Sequence, residues 1–83
     1  MNVRETIIAE IGRVASEQKR ALAPLADDLP LMRSGLDSLC FAILVARLEA
    51  ALGSDPFSAS EEVSIPVTFG DLVALYENAA HAA

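Results

Sequence analysis

Val3, Ile7, Ile11 and Val14 recur at spacings of four, four and three. Side chains at those intervals share one face of a helix. Asn2 stands just ahead of them and Glu5 follows three residues later, a variant of the capping box. The pattern predicts a first helix that fades near Lys19. Residues 20–36 then carry Pro24, Pro30 and Gly35, and no helical period survives them. A connection this long is expected to be a functional loop, pinned to the core by Leu25, Leu29 and Leu31. A second helix is predicted from Ser38 to Leu52, with Asp37 as its N-cap and Gly53 as the residue that ends it in the left-handed conformation. It carries two apolar stripes. Phe41, Leu44, Val45, Leu48 and Leu52 form one, read as the core face. Leu39, Ile43, Arg47 and Ala50 form the other, read as an outward face available to a partner.

Two further capping boxes follow. Ser58 with Glu61 predicts a short third helix that Pro66 closes. Thr68 with Asp71 opens a last helix whose apolar face is Phe69, Leu72, Val73 and Tyr76. Nothing alternates with period two for long enough to make a strand. The expected fold is all-α: a small four-helix bundle with a long first loop and a short third helix, forming one domain over residues 1–83.

Charge narrows the choice of partners. Residues 1–35 hold five basic and five acidic groups, net zero, whereas residues 36–83 hold Arg47 against seven acids, net −6. A nucleic acid would be repelled by that half, and a basic protein surface is the better match. The single cysteine, Cys40, allows no internal disulfide. Arg47 and Glu49 break the longest apolar run, so no membrane span is expected. The N-terminal residues lack a signal-peptide pattern, which points to a cytoplasmic protein.

The chain has few groups able to do chemistry of its own. A serine nucleophile needs a base, and the only histidine, His81, lies near the end of the sequence. One Cys and one His far apart do not make a metal site. Attention therefore falls on Asp37 and Ser38 at the head of the most apolar segment. As plain local structure they cap a helix. Three features add to that. Gly35 allows a sharp turn just before the cap. A phosphate on Ser38 would lie at the positive end of a helix. Leu39 begins the second apolar stripe. The three describe a serine modified by another protein, with a docking surface beside it.

The stretch "SGLDSL", Ser34 to Leu39, resembles the attachment signature of acyl carrier proteins. "PLMRSGL" is similar to the family's approach loop, "LVARLEAALG" to its second helix and "VTFGDLVALYE" to its closing helix, so the resemblance covers residues 3–78. It implies that Ser38 carries 4′-phosphopantetheine, placed there from coenzyme A by a phosphopantetheinyl transferase. It implies that Asp37 presents the serine and helps coordinate the transferase's magnesium. It also implies that Leu39 belongs to the partner-binding surface, which Ile43, Arg47 and Ala50 would extend. Acyl groups would ride as thioesters between an acyl-loading ligase or acyltransferase and downstream synthase enzymes. The protein would be a monomeric carrier and no enzyme itself. The second helix departs from the acid-lined helix of many fatty-acid carriers, since Glu49 is its only acid after Asp37. That departure points toward a specialised lipid or polyketide-like pathway. The competing class is a small helical protein-interaction module in which Ser38 is only a cap or a phosphorylation site.

Overall fold

A computed structural model describes residues 2–53, 55–59 and 65–82 of the chain. Its described residues are all-helical, without a strand: α1 spans Val3–Glu17, α2 spans Ser38–Leu52, α3 spans Pro56–Ala59 and α4 spans Phe69–Ala82. A short 3-10 turn, Leu31–Arg33, interrupts the long loop. Where a four-helix bundle was expected, the described residues hold three helices of at least fourteen residues. The four residues of α3 amount to a single turn. That turn begins at Pro56, a residue suited to the first helical position. Ser58 therefore lies inside α3 rather than capping it, and the rest of the predicted Ser58–Glu61 box falls on residues 60–64, outside those described.

Each long helix starts where its side chains satisfy the free N–H groups of its first turn. Asn2 Oδ1 accepts the Glu5 N–H at 2.8 Å. Asp37 Oδ1 accepts the Cys40 N–H at 2.8 Å. Thr68 Oγ1 accepts the Asp71 N–H at 3.1 Å while Asp71 Oδ2 accepts the Thr68 N–H at 3.1 Å, a complete reciprocal box. Gly53 ends α2 at φ 70°, and its N–H returns to the Glu49 carbonyl. Lys19 takes the same left-handed role just past α1, at φ 56°.

The core gathers Ile7, Ile11 and Val14 of α1, Cys40, Leu44 and Leu48 of α2, and Phe69, Leu72, Val73 and Tyr76 of α4. α1 packs chiefly on α2 and also on α4. The buried line of α2 is therefore Cys40, Leu44 and Leu48, one residue offset from the expected start at Phe41. Phe41 and Leu52 are partly buried beside it. Leu25, Leu29 and Leu31 of the long loop also pack on the core, as predicted, and Leu22 joins them.

The loop is stitched to the start of α4. Asp27 and Leu29 carbonyls accept the N–H groups of Gly70 and Phe69, both at 2.9 Å, and the Leu31 N–H donates to Val67 at 2.8 Å. Arg4 of α1 pairs with Asp27 at 2.7 Å and stacks over the Phe69 ring. Loop backbone thus supplies acceptors that the first turn of α4 would otherwise lack.

Tyr76 packs edge-on to Phe57, which in turn packs on Phe41. Its hydroxyl is buried with no hydrogen-bond partner among the described residues. Burial holds the phenol in its neutral form and raises its pKa to about 12, with Asp55 and Glu49 adding to the rise. An unpartnered buried hydroxyl costs about 1–3 kcal/mol. Tyr76→Phe is accordingly expected to stabilise the fold by about 1 kcal/mol, read from denaturant unfolding. The folded pKa lies above the ordinary tyrosine value of about 10. The associated stability is complete below that value and is lost as pH rises toward 12. The chain has one tyrosine and no tryptophan, so an absorbance titration reads this group alone. A midpoint near 10, or a variant less stable than the parent, would place the hydroxyl in water or in a bond.

Candidate functional site

Ser38 is the first residue of α2 and is exposed. Its side chain does not cap the helix, because Asp37 already fills that position. Among the described residues, no hydrogen bond engages the Ser38 hydroxyl. Asp37 is ionised: the Cys40 N–H pulls its carboxyl down to about 2, and Arg20 adds to the effect. Arg20 pairs with the second carboxylate oxygen, so both oxygens have partners. The hydroxyl therefore stands beside a fixed negative charge at the positive end of a fifteen-residue helix.

The chain reaches this arrangement through Ser34 and Gly35. Ser34 is buried, and its Oγ donates to the Leu31 carbonyl at 2.6 Å and accepts from the Leu36 N–H at 3.3 Å. Its carbonyl accepts the Ala23 N–H at 2.9 Å, which ties the two legs of the loop together. Gly35 has φ 103°, and a Cβ placed there would lie 2.1 Å from the Ala21 carbonyl oxygen. Only glycine suits both the angle and the close approach.

A groove of about 540 Å³ opens beside the serine. Ser34, Asp37 and Ser38 form its polar part. Leu31, Met32, Leu36 and Phe41 line it from the loop and α2, joined by Ile65 and Pro66 from the segment ahead of α4. Met32 is 95 % exposed and Ile65 is 82 % exposed. Neither has a place in any helical period, so the sequence offered no signal for them. Arg20 was equally hidden, because its partner lies seventeen residues away in the chain.

The outward stripe expected on α2 is divided. Leu39 is 62 % exposed and Ala50 is exposed. Ile43, however, is half-buried and packs against the core. Arg47 pairs with Glu17 of α1 and lies 3.8 Å from Glu10. The physical reason is the position of α1, which covers this flank of α2. Ile43 and Arg47 therefore join helix to helix, and a charge at position 43 would be set against the core. The apolar surface available near Ser38 comes instead from Leu39, Met32 and Ile65.

No described helix is long and apolar enough to cross a membrane. No protein-family model matches the chain, and no curated protein or solved structure matches it either.

Proposed function

We propose that this protein is an acyl carrier whose Ser38 bears 4′-phosphopantetheine. The observation that carries the reading is the state of Ser38: an exposed, unengaged hydroxyl, next to an ionised Asp37, on the edge of an apolar groove. With the cap supplied by Asp37, the helix has no structural need of the Ser38 hydroxyl. In this reading Pro56–Ala59 is the short third member of a four-helix bundle.

In the attachment reaction Ser38 Oγ forms a bond to the phosphorus of coenzyme A that bears the pantetheine arm. The pyrophosphate bond breaks, adenosine 3′,5′-bisphosphate leaves, and a base on the transferase takes the serine proton. Among the described residues, the carboxylate beside Ser38, Asp37, has both oxygens engaged by Arg20 and the Cys40 N–H, which fits a division of labour between carrier and transferase. Asp37, an ionised oxygen donor, suits a hard divalent cation such as the transferase's magnesium. When attached, the prosthetic group supplies a thiol on a long arm that holds acyl cargo as a thioester. Ser38 would tether that arm at the groove, where Leu36 and Phe41 present apolar wall. Partners in this reading are the transferase, an acyl-loading ligase or acyltransferase, and the synthase enzymes that use the cargo.

The test is direct. The purified chain is incubated with coenzyme A, magnesium and a broad-specificity transferase, and the product is mapped by peptide mass. One adduct on Ser38 is expected, absent from Ser38→Ala. A wild-type chain that takes no adduct, or a Ser38→Ala chain that still takes one, would remove the carrier reading.

A further inference from the structure

Arg20 lies just past α1, at the near end of the long loop, yet its guanidinium reaches the head of α2 and donates to Asp37. Its backbone is held in place. The Arg20 N–H donates to the Ala15 carbonyl at 2.8 Å, and the next residue, Ala21, sits against Gly35. The side chain is thus aimed from a fixed base. Both partners of the pair are 43 % exposed, so water and an incoming protein reach it. Arg47, the only basic residue after Asp37, is taken up by Glu10 and Glu17 and makes no claim on this carboxylate.

We propose that Arg20 is a positioning residue that latches Asp37: it occupies the outer carboxylate oxygen until the modifying enzyme docks, and it must be displaced before that oxygen can meet the enzyme. The inference rests on the carrier reading above and adds a control to the same site. An inner oxygen bound to the Cys40 N–H keeps the carboxylate oriented whether the latch is open or closed. An exposed ion pair favours its closed form by roughly two- to fivefold. The latch therefore lowers the fraction of chains ready for the transferase by a similar factor, without blocking the reaction.

The experiment compares the 83-residue chain with Arg20→Gln and Lys19→Gln. Lys19 is the neighbouring cation, so its variant makes the same change in net charge without touching Asp37. Transfer kinetics are measured with coenzyme A, magnesium and a broad-specificity transferase. Affinity for that enzyme is measured separately on chains that also carry Ser38→Ala and cannot react. Arg20→Gln is expected to lower both KM and Kd about two- to fivefold with kcat unchanged, and Lys19→Gln is expected to do less. The advantage should vanish when Asp37→Asn is added, because asparagine keeps the helix cap but gives the latch no charge to hold. Equal effects of Arg20→Gln and Lys19→Gln would reduce the result to net charge and overturn the latch. Weaker binding by Arg20→Gln, with a lower melting temperature, would make Arg20 a structural brace of the loop and also overturn it. Either result, with the wild type still labelled on Ser38, leaves the carrier reading standing. A wild type that takes no label removes both.

Discussion

Leu48→Ala is expected to lower the unfolding free energy by about 2–5 kcal/mol, the range for truncating a fully buried leucine. Leu48 is completely buried at the centre of α2, in one cluster with Ile11 of α1 and Leu72 of α4. The loss has two parts. The transfer free energy of the removed atoms goes, and a cavity remains that three helices cannot close without disturbing one another. A domain of this size is stabilised by only about 5–15 kcal/mol in total. The variant should therefore melt well below the parent, and part of it should be unfolded at modest denaturant concentrations. Chemical denaturation followed by circular dichroism gives the number. A loss under about 1 kcal/mol would mean that position 48 is not at the meeting point of the helices.

Gly35→Ala is the second large effect, and Gly53→Ala is its control. Both glycines have positive φ, 103° at Gly35 and 70° at Gly53. An alanine at Gly53 meets nothing within 4 Å, so its cost is the backbone conformation alone, about 1–2 kcal/mol. An alanine at Gly35 bears a backbone cost of about 1–3 kcal/mol and also drives its Cβ to 2.1 Å from the Ala21 carbonyl oxygen. Backbone cannot turn aside as a flexible side chain can. The loop has to open, and the Ala23–Ser34 hydrogen bond and the Arg20–Asp37 pair lie at that closure. Gly35→Ala should cost at least about 1 kcal/mol more than Gly53→Ala, the added amount being overpacking. It should also slow labelling of Ser38 at temperatures where the chain is still folded, which Gly53→Ala should not. Equal losses in the two variants would show that the contact relaxes freely.

Local rules were enough to read the three long helices, while the short α3 starts at Pro56, two residues before the expected Ser58 cap. α1 begins where Asn2 signalled, α2 begins and ends where Asp37 and Gly53 signalled, and α4 begins at the Thr68–Asp71 box, because capping is a contact between neighbours a few residues apart. The apolar periods placed Ile7, Ile11, Leu44, Leu48, Leu72 and Tyr76 in the core for the same reason. Asp37 and Ser38 were likewise legible as a pair at a helix start. What the period could not supply was which flank of α2 a neighbour would cover. A helix with apolar residues on two sides is compatible with either orientation, and the choice was made by α1. Its Glu10 and Glu17 take Arg47, and the packing between the helices takes Ile43.

The site was less legible than the helices. That Gly35 permits a sharp turn follows from its lack of a side chain, but that Ala21 presses against it depends on two legs of the loop meeting in space. Arg20 on Asp37 and the groove wall from Ile65 and Pro66 join segments far apart in the chain, with no periodicity to announce them. The sequence by itself determined the three long helices, the caps that start them, most of the core and the acid-serine pair at a helix start, since each depends on residues within a turn or two of one another. Tertiary structure alone decided the partner of Asp37, the walls beside Ser38 and the covered flank of α2. Those depend on long-range closure, where the contact is set by how whole helices and the loop pack and not by the residues' own neighbours.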